Sequence, residues 1–211
     1  WEQHKINSIM KLPMINLVPG VGYGYANAGP THYSNEDLGL ANLIVNSNIY
    51  TVSDANLAAK LSINLLKKKQ ISFVRLDREA CENIKHNIST KDINNGYRVI
   101  HEGKNLCIIS HGHMLNKINK IITEDKSFDK KITLIDLFQS KPINKNLSKI
   151  LRNFFHTLVV DEQYENFNLS TLMLKYVNLQ HLNNNIIPVS LKEYIDYGND
   201  GRENILGRSD L

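Results

Sequence analysis

Residues 49–76 contain, in order, Ile49-Tyr50-Thr51-Val52, then Ser53-Asp54-Ala55-Asn56-Leu57 running on to Lys67-Lys68-Lys69, then Ser72-Phe73-Val74-Arg75-Leu76. The first block is a short apolar run suited to a buried strand. Ser53 reads as the cap of a helix from Asp54 to about Lys68, on which Leu57, Leu61 and Leu65 return on one face. The last block is again strand-like. Strand, helix and strand in that order predict two parallel strands joined by a crossover helix.

Working outward, the same alternation covers the chain. Ile15 to Val18, Leu106 to Ser110, Ile132 to Leu137, Leu158 to Val160 and Ile186 to Val189 are further short apolar runs separated by helical patterns, an α/β rhythm. From Glu82 to Asn95 the pattern lapses into polar residues. Beyond it, Gly96-Tyr97-Arg98-Val99 and Leu106-Cys107-Ile108-Ile109 flank a turn at Gly103-Lys104, which reads as a hairpin opening a second unit. The expected fold is therefore α/β, two three-layer units with mostly parallel sheets: residues 1–81, a linker at 82–95, and residues 96–211.

At 211 residues, 42% hydrophobic and 22% charged, the chain can bury a proper core. Its apolar runs fall well short of the roughly 18 residues that span a bilayer, so a soluble, cytoplasmic protein without membrane association is expected. Cys81 and Cys107 have no metal-like spacing and read as buried free thiols, with no metal site expected. The net charge of +4 is spread out, and Lys67-Lys68-Lys69 lies at a helix end where cations complement the dipole, so no nucleic-acid partner is expected. The chain opens at Trp1 in sequence that already reads as helix, which leads us to expect a segment upstream.

One stretch lacks a purely structural reason. Gly20-Val21-Gly22-Tyr23-Gly24 precedes Gly29-Pro30-Thr31-His32, with Glu36-Asp37 following. Glycine leaves a thin backbone that a ligand can approach, and the imidazole sits on a tight turn ahead of a helix. His32 is either a site residue or the cap of a helix starting near Ser34. In the second unit His111-Gly112-His113 follows a buried strand, at the strand end where open parallel sheets bind ligands. That pair needs a third ligand to hold a metal.

Gly29-Pro30-Thr31-His32 with Glu36-Asp37, then Tyr50-Thr51-Val52-Ser53-Asp54-Ala55, then Val74-Arg75-Leu76-Asp77-Arg78-Glu79 resemble, in order and spacing, the later half of the pyrimidine-binding domain of the transketolase family. The glycine turn at Gly103, Ile109-Ser110-His111-Gly112-His113, Asp136 to Pro142 and Val159-Val160-Asp161-Glu162 resemble that family's C-terminal domain. The resemblance implies a thiamine-diphosphate- and Mg2+-dependent enzyme that transfers a two-carbon ketol unit between sugars or sugar phosphates. It implies that His32 is the catalytic histidine, and that Arg78, Arg75 and Thr31 serve substrate binding. Arg75 and Arg78 lie three apart, so only one of them can face a phosphate pocket; a strand-end arginine paired with Asp77 or Glu79 is the structural alternative.

This chain also departs from the family. Asn27-Ala28 stands where transketolases carry an acidic pair, Gly20 where they carry a second phosphate-binding histidine, and Tyr33 where they have glutamine. The resemblance places the aminopyrimidine-contacting glutamate and aromatic residues before Trp1, and the Gly-Asp-Gly motif of the diphosphate-binding domain does not occur. It follows that the chain, taken alone, is expected to be inactive and to work with a diphosphate-binding subunit of a split enzyme, as a homo- or hetero-oligomer. The alternatives are a non-catalytic interaction module, a relative of the deoxyxylulose phosphate synthases, or one of the β-type subunits of 2-oxoacid dehydrogenases.

Overall fold

The computed structural model describes residues 2–209 and 211. Its strands are β1 (Ile15–Pro19), β2 (Ser47–Thr51), β3 (Ile71–Leu76), β4 (Arg98–His101), β5 (Leu106–Ser110), β6 (Ile132–Asp136), β7 (Gln139–Lys141), β8 (His156–Tyr164) and β9 (Asn185–Leu191). Its helices are α1 (Glu2–Ile9), α2 (Asp37–Asn42), α3 (Ala55–Lys67), α4 (Thr90–Asn95), α5 (Gly112–Glu124), α6 (Leu147–Leu151), α7 (Leu169–Leu179) and α8 (Arg202–Arg208). One sheet has the order β1-β3-β2-β7 and the other β4-β6-β5-β8-β9, with β7 and β4 as the antiparallel members. The two mostly parallel sheets match the α/β expectation.

The β2-α3-β3 unit forms as its pattern requires, because Leu57, Leu61 and Leu65 bury the inner face of α3 against Tyr50, Val52, Val74 and Phe138. The cap is Asp54, not Ser53: the Asp54 carboxylate accepts the Leu57 amide at 2.7 Å. Ser53 is freed for a contact across the molecule. In the second sheet Cys107 and Ile109 of β5 point into one core with Met173 and Val177, while Leu106 and Ile108 point into another with Leu115 and Ile205. A strand buried on both faces reads as a continuous apolar run, and β5 does.

One expectation fails. β4 and β5 are not a hairpin, because β6 lies between them and pairs with both. The turn at Gly103 tucks against the start of β6, so closely that a Cβ there would come within 2.3 Å of the Ile132 nitrogen. The segment 82–95 contains α4, with a Ser89–Asp92 capping box, and buries Ile84, Ile88 and Ile93. Further along the chain, β7 returns to the first sheet and pairs antiparallel with β2, so the two sheets are interlocked.

Candidate functional site

Two β-bridge hydrogen bonds, Gly22 N–H to Ser34 O at 3.0 Å and Ser34 N–H to Gly22 O at 2.9 Å, close the neck of a loop after β1. The loop carries two 3-10 turns, Ala26–Ala28 and Pro30–His32. Gly29 links them at φ 81° and ψ 179°, a conformation essentially reserved for glycine. A Cβ at Gly29 would meet nothing within 4 Å, so this part of the loop is open. His32 is exposed, its Nδ1 lies 2.9 Å from Thr31 Oγ1, and it does not cap α2.

The Arg78 guanidinium stacks 5.0 Å from the centroid of the Tyr25 ring, which lies 6.4 Å from the His32 ring. Among the described residues Arg78 makes no ion pair. Tyr25, His32 and Arg78 thus form an outward-facing trio, with Thr31 beside it. The glycine run serves a different purpose from the one its sequence suggests. A Cβ at Gly20 would fall 2.0 Å from the Tyr25 ring, and one at Gly22 would fall 2.6 Å from Glu162 Oε2, so the thin backbone is occupied by the protein's own side chains.

Arg75 lies elsewhere, at 1% exposure on β3. Its Nε and Nη2 donate to Asp37 at 2.9 and 2.8 Å, and its Nη1 donates to Thr51 at 2.8 Å. It therefore pairs with neither Asp77 nor Glu79. Asp77 instead accepts from Arg202 of α8 at 2.8 and 2.9 Å, and Arg202 also grips Glu162 of β8. With His111 and His113, these groups line a cavity of about 10 Å³, room for one water at most. Burial, reinforced by the Arg75 charge, drives the His111 imidazole well below its ordinary range and keeps it neutral.

A second buried polar cluster joins the sheets. Arg98 Nε donates to Asp136 at 2.9 Å and Nη2 to Asp54 at 2.8 Å, all three side chains being fully buried. Ser53 completes it, donating to Asp136 at 2.8 Å and accepting the Gly112 amide at 2.9 Å. Burial raises the Asp136 carboxyl to about 6 in spite of Arg98. Sequence reading missed both clusters. The one signal was Arg98 inside an otherwise strand-like run, since a buried cation demands acidic partners.

Mg2+ requires a near-octahedral set of oxygen ligands. The one convergent donor set among the described residues, Asp77, Cys81 and His113, does not provide it. Unpartnered buried polar atoms among the described residues include those of Asn35, His111, Asp161 and Gln163. The described residues do not by themselves fit thiamine diphosphate or its metal.

Two parallel-dominated α/β units, interlocked by β7 and by buried ion pairs and carrying an open histidine turn, define an α/β module of the transketolase type. Residues 96–207 match the family described as "Transketolase, C-terminal domain", and the chain belongs to that family. It is similar to a split-gene transketolase solved as an inactive β4 tetramer, with a TM-score of 0.76 at 17% identity, covering 93% of this chain and 62% of that one. It is similar also to the transketolase of Campylobacter jejuni, with a TM-score of 0.73 at 14% identity over 98% of this chain and 31% of that one. These likenesses concern the fold. In sequence it is 27% identical to a 1-deoxy-D-xylulose-5-phosphate synthase of Malacoplasma penetrans over 196 residues, 90% of this chain. The chain spans 31% of the length of that relative.

Proposed function

We propose that this chain is the C-terminal portion of a transketolase-like transferase that uses thiamine diphosphate and Mg2+, completed by a diphosphate-binding subunit or segment, and that it acts in the cytoplasm on sugars or sugar phosphates. The observation that carries this reading is the exposed His32 on the turn that Gly29 makes possible, with Thr31 and Arg78 beside it. His32 would hold or move a proton at the substrate's carbonyl oxygen, a task suited to an imidazole near neutral pH. Thr31 occupies Nδ1 and leaves Nε2 for the substrate.

Arg78 is the arginine suited to a substrate phosphate, its guanidinium being exposed and unpaired with any carboxylate among the described residues. Arg75, held by Asp37 and Thr51, supports β3 from within. A second reading, favoured by the relative that is 27% identical, is that the product is a deoxyxylulose phosphate; Arg78 would then serve the same phosphate.

The test is to combine the chain, extended upstream, with candidate diphosphate-binding partners, thiamine diphosphate and Mg2+, and to measure cofactor retention and two-carbon transfer. His32→Ala is expected to slow transfer by about 10²-fold or more while leaving the circular dichroism spectrum unchanged. Cofactor retention in no pairing would overturn the enzymatic reading. Transfer unaffected by His32→Ala would remove His32 from the mechanism.

A further inference from the structure

The loop after β3 and the first turn of α5 meet at Asp77, Cys81 and His113. A carboxylate oxygen, the thiol sulfur and an imidazole nitrogen there all lie within 4.8 Å of one another. His113 Nε2 is buried and has no hydrogen-bond partner; its nearest carboxylate oxygen, Glu203 Oε1, is 3.5 Å away. Asp77 is nearly buried, with its carboxylate shared by Arg202 and the Glu79 amide, while Cys81 is half-buried. Three donor types thus converge from two parts of the chain.

The surroundings favour a dication over other occupants. Asp77, Glu162 and Glu203 place three carboxylates around the donors, paired with Arg202 and Lys117. A disulfide is ruled out by place, because Cys107 is fully buried in the core on the far face of the second sheet. Mixed nitrogen, sulfur and oxygen donors select zinc-like ions over hard cations.

We propose that Asp77, Cys81 and His113 bind one divalent transition-metal ion of the zinc type, clipping the loop that carries Arg78 to the start of α5. Arg202 retains one Asp77 oxygen and the metal takes the other. Glu203 or a water fills the fourth position of the tetrahedron. The His111-Gly112-His113 pattern alone lacked a third ligand, and the fold supplies two donors from the loop after β3.

The test uses the full chain after chelation and Co2+ as a spectroscopic stand-in for Zn2+. One equivalent of Co2+ should produce a thiolate-to-cobalt charge-transfer band and the intense visible absorption of a tetrahedral site, both removed by Zn2+. Cys81→Ser should abolish the charge-transfer band, and His113→Gln should weaken Co2+ binding at least about tenfold. A charge-transfer band that is absent in the unmodified chain, or that persists in Cys81→Ser, would overturn the proposal. Should either variant fail to fold, alkylation of the unmodified chain decides: stoichiometric Zn2+ should slow modification of Cys81 at least about tenfold, and equal rates with and without Zn2+ would refute the site.

Discussion

Replacing Arg98 with methionine tests whether one buried guanidinium ties the two sheets together. The substitution keeps most of the side-chain volume, so the cost is electrostatic. Arg98 is the cation within bonding distance of both Asp54 and Asp136, and all three groups are fully buried. Removing one partner from a buried ion pair costs about 3–5 kcal/mol, because the remaining charge has lost its compensation. Two carboxylates lose theirs here, but Asp54 keeps the Leu57 and Ile84 amides and Asp136 keeps the Ser53 hydroxyl. Asp136 can also escape by taking a proton, since burial already holds it at about 6 and loss of Arg98 can only raise it. We therefore expect a loss of about 4 kcal/mol at pH 7, a large share of a typical domain's stability. The deficit should shrink at pH 5, where the variant's Asp136 is protonated. Urea unfolding followed by far-ultraviolet circular dichroism measures both values. Adding Asp136→Asn to Arg98→Met should recover part of the loss, a coupling of about 1–3 kcal/mol. A deficit below about 1 kcal/mol at pH 7, or one equal at the two pH values, would refute the reasoning.

Asp161 is fully buried, with Oδ2 accepting the Leu169 amide at 2.7 Å and Oδ1 unpartnered, and burial lifts its carboxyl from 3.8 to about 7. The folded state then holds a proton that the unfolded state releases, so stability falls as pH rises from about 4 to 7, by on the order of 4 kcal/mol from this group. Asp161→Asn should remove Asp161's share of the slope in urea midpoints taken across the window, leaving the part due to Asp136, which burial likewise raises; an unchanged slope would exclude Asp161 as a source. Asp37→Asn should cost about 3 kcal/mol in the same assay by breaking the bidentate pair with buried Arg75, and a loss below about 1 kcal/mol would mean that Arg75 is free for other partners. Gly29→Ala should lose about 1–3 kcal/mol of thermal stability from backbone strain alone. Gly22→Ala should lose more, because its Cβ also displaces Glu162, and an equal loss at the two positions would contradict that packing.

The α/β class and the places of most strands were legible because strands buried on both faces leave continuous apolar runs and α3 leaves its leucine stripe. Ser53 and Asp54 show where such reading stops. Either residue can cap a helix, and the choice fell to Asp54 because Ser53 is engaged by Asp136 and Gly112, both remote in sequence. The supposed hairpin failed for a similar reason, since strand adjacency is a tertiary fact and β6 arrives later in the chain to part β4 from β5. At the candidate site, His32 and Arg78 are exposed, whereas Arg75 found its carboxylate in Asp37, 38 positions back along the chain. Cys81 and Arg202 gave no local signal, because each takes its meaning from side chains that only the fold brings near.

The interlocking also bears on where chemistry can occur. In open parallel sheets ligands usually settle beyond the carboxyl ends of the strands. Here the carboxyl ends of β3, β5 and β8 face one another, and the space is filled by Arg75, Asp77, His111, Glu162 and Arg202, leaving a cavity of about 10 Å³. Those charges are largely consumed in pairing: Arg75 with Asp37, and Arg202 with Asp77 and Glu162. A substrate would have to displace several charge-assisted bonds to enter, each worth more than an ordinary hydrogen bond. The loop closed by Gly22 and Ser34 offers the opposite condition, with open space at Gly29, an exposed imidazole, and an arginine held by a tyrosine ring in place of a carboxylate. On the proposed function, this open turn, not the buried strand ends, is where a substrate would meet His32.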